Sequence, residues 1–371
     1  MRLALICRPL SFHGGVETAT AGLMGELSRR GHAIDLLTTR EQEELPGVTV
    51  RRLPVLTQPS ALRLLSFALT ARRAVTDAGY DIVQSHERGL RQDIYRAGEG
   101  THRAYLAAMG RRWAQLSPHH RLVCALEKRI FGLRSARHIV AISRAGKAEI
   151  ERLYATPPAR VSLIYNGVDL ARFHPDNRAR LGRAAREALG LAREAWVILF
   201  VGSGFERKGL APLLRALAQL ADERCRLVVA GKGDARPYRK LARRLGLGAR
   251  VSWVGPRRDV ERLYAAADVV ALPALYEPFG NVHLEALAAG VPVLTSVRAG
   301  GSELIERGRN GWVAPAPAAE AIAEGLRALR ESDAGRLANA ARASAEPFTY
   351  QTQAEGFETL YQQLTAPLRV F

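Results

Sequence analysis

Short apolar runs alternate with longer segments whose apolar residues recur at helical spacing. LALIC (3–7), AIDLLTT (33–39), VTVRRLPV (48–55), DIVQSH (81–86) and HIVAIS (138–143) read as strands. The loop RPLSFHGGVET follows the first of them, and a helix beginning near Val16 and ending near Arg30-Gly31 follows the loop. Strands that alternate with amphipathic helices predict a parallel sheet covered by helices.

The pattern restarts after RVSLIYNGVDLARFHPDN (160–177), where a strand runs into Asn-Gly and then a Pro-Asp-Asn turn. AWVILFVGS, CRLVVAG, RVSWVG, VVALPA and VPVLTS form a second strand series, with LAPLLRALAQLA and DVERLYAAA as helices between them. The expected fold class is α/β, with two Rossmann-like, doubly wound parallel-sheet domains facing a central cleft. The expected division is 1–172, 173–347, and a helix-like tail over 348–371 that packs back on the first domain. Ligands of such sheets bind beyond the C-terminal strand ends.

The chain has 371 residues, with 47% hydrophobic and 24% charged, as in water-soluble globular proteins. The apolar start, Leu3 to Cys7, is too short for a signal-peptide core, and no run reaches the length of a membrane span. Cys7, Cys124 and Cys225 are far apart and form no CxxC pair, which speaks against a disulfide framework or a thiolate metal site and suits a reducing cytoplasm. The net charge of +18, almost all of it from arginine, suggests an anionic partner, although the basic residues are spread along the whole chain. Aromatic residues at 6% and the lack of a recognised binding motif argue against a nucleic-acid partner.

Three stretches carry candidate chemistry. In FVGSGFERKGL (200–210) a strand enters a Gly-Ser-Gly turn, with Gly204, then Arg207 and Lys208 before a helix. Small residues admit an anion to backbone N–H groups and the cations could neutralise a diphosphate. A tight turn with two solvated cations is the plain alternative. Gly14-Gly15 occupies the usual place of an anion-binding turn after a first strand, or is a simple turn. In YEPFGNVHLEALAAG (276–290), Pro278 and Gly280 keep Glu277 in a loop, and a helix carrying Glu285 ends at Gly290. The glutamates flank a helix start whose N–H groups, from Gly280 to Val282, could hold a phosphate. An acidic first turn complementing the helix dipole is again the alternative.

Taken together and in this order, HGGVE, GFERKG and Glu277-x7-Glu285 resemble the retaining GT-B glycosyltransferases of family 4 over essentially the whole chain. DIYRAGEGTHRAYL is similar to the lipopolysaccharide core enzymes that add glucose to an inner-core heptose. The resemblance implies transfer of a sugar, expected to be glucose from UDP-glucose, to a lipid-linked saccharide. It gives Glu285 the ribose and Glu277 the donor sugar hydroxyls. Arg207 and Lys208 would take the diphosphate, helped by backbone groups at Gly14, Gly15 and the Phe279-Gly280-Asn281-Val282 segment. Glu99 would orient or deprotonate the acceptor, where many relatives carry aspartate, with His86 and His102 as alternative bases. No Asp-x-Asp occurs, so neither a metal nor another cofactor is expected, and cationic side chains would stabilise the leaving group. A different nucleotide sugar or acceptor, or a non-transferring relative such as an epimerase, is the rival reading.

From Arg103 to His138 the sequence is strongly basic, and Trp113, Leu122, Leu126, Ile130 and Phe131 interleave with the cations. This suits peripheral docking on an anionic membrane surface at the cytoplasmic face. A helix pair whose apolar side is core fits the same pattern.

Overall fold

The computed structural model describes residues 1–10, 15–40, 45–111, 113–114 and 117–366. The chain forms two units: one runs to Gly167, apart from Gly15, and resumes at Tyr350, and the other spans Val168 to Thr349.

In the first unit β1 (Arg2–Ile6), β2 (Ala33–Thr38), β3 (Val48–Arg52), β4 (Ile82–Ser85), β5 (Gln92–Arg96), β6 (Ala136–Ala141) and β7 (Val161–Leu163) form one sheet in the order β3-β2-β1-β4-β5-β6-β7. Every pairing in it is parallel. The order turns back between β1 and β4, which marks the switch point where ligands of doubly wound sheets gather. The helices of this part are α1 (Gly15–Arg29), α2 (Ser60–Val75), α3 (His102–Ala108), α4 (Pro118–Phe131) and α5 (Arg144–Tyr154). Ser143 caps α5 by accepting from the Gly146 N–H at 2.9 Å, and Thr101 caps α3.

The second unit begins with α6 (Asn177–Ala188). Its sheet contains β8 (Trp196–Val201), β9 (Cys225–Ala230), β10 (Val251–Gly255), β11 (Val269–Leu272), β12 (Val293–Ser296) and β13 (Gly311–Ala314), in the order β10-β9-β8-β11-β12-β13 and all parallel. Its switch point lies between β8 and β11. The helices are α7 (Leu210–Gln219), α8 (Arg236–Arg244), α9 (Val260–Ala266), α10 (Asn281–Ala288), α11 (Ala319–Glu331) and α12 (Ala334–Ala345). The interior of WVILFV in β8 is buried on both faces, which explains a continuous apolar run in place of alternation. α10 is buried at six of its eight residues, consistent with a helix that is apolar nearly all round.

The chain closes with α13 (Tyr350–Thr365), which belongs to the first unit. Phe357, Leu360 and Tyr361 are buried there, and the Tyr361 hydroxyl donates to Gln84 Oε1 on β4 at 2.6 Å. Arg30 reaches Glu355 and Glu358 on this helix at 2.9 and 2.7 Å.

Two strands differ from the pattern-based expectation. β5, QDIYR, opens and closes on polar residues, Gln92 and Arg96, which are nonetheless buried. β13 is only GWVA. Among the described residues no helix is long and apolar enough to cross a membrane, and the three cysteines are free thiols.

Candidate active site

In the second unit the loops after β8, β11 and β12 are stitched together at the switch point. Phe205 packs edge-on against Phe200 and Tyr238, pinning the loop that carries Arg207 and Lys208. Gly209 follows at φ +79°, and a Cβ there would lie 1.9 Å from the Pro273 carbonyl oxygen. Only glycine lets the β8 loop approach the β11 loop this closely. The Arg207 carbonyl accepts from Leu275 N–H at 2.8 Å, Glu277 N–H donates to Arg298 O at 3.2 Å, and Gly300 N–H donates to Glu277 O at 2.8 Å.

On this frame Arg207 Nη1 donates to Glu277 Oε2 at 2.8 Å and to the Tyr276 carbonyl at 3.0 Å. Lys208 Nζ sits 3.2 Å from the same carboxylate oxygen. A Cβ on Gly202, whose φ is +146°, would lie 2.6 Å from Lys208 Nζ, so this glycine makes room for the ammonium. Burial alone would raise the Glu277 carboxyl, but Lys208 and Arg207 outweigh it and hold the pKa at about 2. The cluster is therefore one fixed carboxylate between two cations, with a net charge of one positive.

Glu277 and Glu285 do different work. Glu285, half-buried on α10, accepts from the Tyr264 hydroxyl of α9 at 2.6 Å. Burial pushes its carboxyl above the usual range while the Tyr264 bond opposes the shift. Phe279 is 1% exposed, its ring buried. Val282 is buried as well, so these two can offer a ligand only their backbone. Asn281 is half-buried, Gly280 has φ +86°, and Gly204 is exposed at φ +77°. Gly14 lies outside the described residues, and Gly15 is the first residue of α1.

Two residues not singled out from the sequence support this frame. Tyr264 holds Glu285, and His283 braces the start of α10. His283 Nδ1 is 2.7 Å from the Gly280 carbonyl, and Nε2 is 2.9 Å from Thr295 Oγ1. A carbonyl can only accept, so Nδ1 carries the proton and Nε2 is the acceptor side; the single Thr295 hydroxyl proton is shared between Nε2 and the Leu272 carbonyl, 3.1 Å from Oγ1. Burial lowers the His283 pKa to about 4, and the ring is neutral near pH 7. The apolar surroundings of VHLEALA hid the histidine as a helix residue, and Tyr264 was legible only as part of a helical face.

In the first unit, residues beyond β1, β4 and β5 form a second charged cluster. Arg8 bonds Glu87 at 2.7 Å and also pairs with Glu99, while Arg88 Nη1 bonds Glu99 Oε2 at 2.7 Å. Arg88 is held in turn by Glu127, which is 0% exposed on α4 and accepts at 3.0 and 2.8 Å. Glu127 also accepts from the His102 N–H at 2.8 Å and the Tyr154 hydroxyl at 2.7 Å. Burial opposes the charge on Glu99, yet Arg8 and Arg88 hold its pKa at about 2. A carboxylate clamped by two guanidinium groups is a weak proton acceptor, so Glu99 suits orientation of a hydroxyl better than deprotonation.

The two histidines offered as bases separate. His86 is an interior residue: Gln84 Nε2 donates to its Nε2 at 2.8 Å, and its Nδ1 is 3.2 Å from Thr20 Oγ1. Burial and then Arg96 lower its pKa well below the usual value. His102 is half-buried, with Nε2 2.7 Å from His120 Nδ1, and its pKa is lowered to about 4 by burial and then Arg88.

The basic segment shows its apolar side turned inward. Leu126, Ile130 and Phe131 are core residues of α4 and Leu122 is half-buried, whereas Trp113 is 84% exposed. Arg111, Arg121, Lys128 and Arg129 remain exposed. Among the described residues no group of three or more His, Cys, Asp or Glu is placed to hold a metal ion.

Comparison with known proteins agrees with this architecture. Residues 13–172 match Glycosyltransferase Family 4, and residues 183–346 match the glycosyl transferases group 1. The chain is 30% identical to an uncharacterized glycosyltransferase of Methanocaldococcus jannaschii, covering 85% of each. It is 31% identical to a D-inositol 3-phosphate glycosyltransferase of Corynebacterium kroppenstedtii, over 76% of this chain and 67% of that one. The crystal structure of WaaG, a glycosyltransferase involved in lipopolysaccharide biosynthesis, superposes with a TM-score of 0.86 at 25% identity, covering 98% of this chain and 100% of that one. Anabaena HepE, in complex with UDP and glucose, shares the fold with a TM-score of 0.77 at 22% identity, over 97% and 99% of the two chains. With a parallel switch-point sheet in each half, the protein belongs to the GT-B glycosyltransferases, its first sheet in a family 4 domain and its second, bearing Arg207, Lys208 and Glu277, in a group 1 domain.

Proposed function

We propose that the protein is a retaining hexosyltransferase that moves glucose from UDP-glucose to a lipid-linked saccharide such as the lipopolysaccharide inner core. The observation that carries this reading is Glu277, held ionised between Arg207 and Lys208 at the switch point of the second sheet. In this reading Glu277 accepts from donor sugar hydroxyls, Glu285 from the ribose, and the cations take the diphosphate. The cluster keeps one positive charge after Glu277 is counted, which favours an incoming dianion without a metal. Glu99 orients the acceptor hydroxyl. The UDP and glucose bound by HepE support the donor, and the involvement of WaaG in lipopolysaccharide biosynthesis supports the acceptor class.

We divide the chain functionally into an acceptor domain (1–172), a donor domain (173–347) and a returning helix (348–371). We place the reaction at the cytoplasmic face of the membrane, with the exposed cations near α4 and Trp113 meeting anionic lipid. The inward-facing apolar residues of α4 make this contact chiefly electrostatic.

Relatives named D-inositol 3-phosphate glycosyltransferase favour a second reading, with the same donor chemistry and a small phosphorylated polyol as acceptor. A thermal-shift screen of UDP-, GDP- and ADP-sugars tests the donor. UDP-glucose should raise the melting temperature by several degrees, and stabilisation by none of them overturns the proposal. Transfer to a heptose-terminated lipopolysaccharide core, set against transfer to inositol 3-phosphate, then separates the two acceptors.

A further inference from the structure

Arg96, at the C-terminal end of β5, is 1% exposed. Its Nη2 donates to Asn166 Oδ1, but Nε and Nη1 have no hydrogen-bond partner among the described residues. Among the described residues no carboxylate answers its charge: the groups that act on it most are the Tyr95 phenol and the Cys7 thiol. Burial pushes both of those above their ordinary range, so both are neutral near pH 7. The neighbouring strand-end arginines differ, since Arg8 pairs with Glu87 and Glu99, and Arg88 with Glu99 and Glu127.

An uncompensated buried guanidinium is costly unless something anionic meets it. The position of this one is informative. Cys7 follows β1 and His86 follows β4, the two strands at the switch point, and the Arg96 charge reaches both side chains. Gly98 adds a second feature. A Cβ there would lie 2.6 Å from Arg96 Nη1, and the next nearest atoms are also in that guanidinium. A side chain at position 98 would press on the unpaired nitrogen, and the chain has none there.

We propose that Arg96 is the centre of an oxyanion site in the first unit that takes a phosphate group, carried by the acceptor saccharide. This rests on the glycosyl-transfer reading for the source of the phosphate, but not for the site itself. Free inorganic phosphate offers the same chemistry and is the other source to be separated.

The test is a thermal-shift titration with inorganic phosphate in the presence of saturating UDP, which keeps the Arg207–Lys208 cluster occupied. Wild type should gain about 3 °C or more at tens of millimolar phosphate. Arg96→Gln and Gly98→Ala should each lose most of that gain while keeping the stabilisation by UDP. Gly98→Ala keeps the guanidinium but crowds its unpaired nitrogen, and decides the matter if Arg96→Gln does not fold. No gain in wild type, or an equal gain in Gly98→Ala, overturns the site and assigns the orphaned nitrogens to internal water. Should UDP itself stabilise nothing, the donor reading fails, while the comparison of wild type with Gly98→Ala in phosphate still reads Arg96. A parallel titration with glucose 6-phosphate, controlled with glucose, reads the source. A midpoint at or below that of inorganic phosphate supports an acceptor-borne group, and one tenfold higher overturns it in favour of free phosphate.

Discussion

Arg207 and Glu277 are 70 residues apart in the chain, and their side chains meet at 2.8 Å where the strand order of the second sheet reverses. Each comes from a loop whose course is set by the other, since the Arg207 carbonyl accepts from Leu275 in the Glu277 loop. The pair is thus a property of two adjacent strand ends. Glu277→Gln should lower turnover roughly 100- to 1000-fold, on the scale of losing one aligned electrostatic group. Circular dichroism should be unchanged. Wild-type rates of UDP release with acceptor present would remove Glu277 from the reaction.

Gly209 and Gly190 both have positive φ, at +79° and +64°, but only Gly209 faces backbone, with the Pro273 carbonyl 1.9 Å from an added Cβ. Gly190→Ala should cost about 1 kcal/mol, from backbone strain alone. Gly209→Ala should cost roughly 3 kcal/mol or more and weaken UDP stabilisation, because the β8 loop must retreat from the β11 loop. Urea unfolding of the two variants checks this, and equal costs would show that the close approach is not what selects glycine.

Glu127 is the hub of the first unit's cluster, accepting from Arg88, His102 N–H and Tyr154. Glu127→Ala leaves Arg88 buried without that counter-ion and should destabilise by about 3–5 kcal/mol. Tyr154→Phe removes one hydrogen bond and should cost about 1 kcal/mol. A mild Glu127→Ala variant in urea titration would contradict the assignment.

The native pKa values near 4 of His283 and His102 lie below the ordinary 6.5. Between these values the unfolded chain binds protons that the folded chain refuses, so stability rises with pH from about 4 to 6.5 and then levels. Glu277 and Glu99, held at about 2 against an ordinary 4.5, contribute stability that is present above about pH 4.5 and is lost as the pH falls toward 2. Urea midpoints should therefore fall continuously below pH 6.5. His283→Gln should flatten the upper part of that limb, and midpoints that stay constant from pH 5 to 7 would count against it.

Trp113 and the exposed cations near α4 should make flotation with vesicles depend on anionic lipid and on salt. Trp113→Ala should reduce binding a few-fold, a modest loss because the apolar residues of α4 face inward. Equal flotation with neutral vesicles would dismiss membrane docking.

Much of the fold was legible because buried parallel strands write themselves as continuous apolar runs. β8, β9 and β12 are examples, and strand–helix alternation supplied the class. β5 was not legible, since its buried Gln92 and Arg96 break the apolar pattern. In the basic segment, composition could not tell an apolar face that meets lipid from one that meets core. Only packing turned Leu126, Ile130 and Phe131 inward.

By itself the sequence determined the local chemistry. It placed glycines where backbones must come close, cations after β8, and a glutamate on each side of the α10 start. Those are local properties, dictated by steric freedom at glycine and proline and by the period of the hydrophobic pattern. Tertiary structure alone decided which charges are shared. It put Glu277 between two cations, gave Glu285 to Tyr264, clamped Glu99 between Arg8 and Arg88, and left Arg96 without a carboxylate among the described residues. The physical reason is that a side chain's ionisation and bonding depend on burial and on neighbours within a few ångströms. In a parallel sheet those neighbours come from strands far apart in sequence.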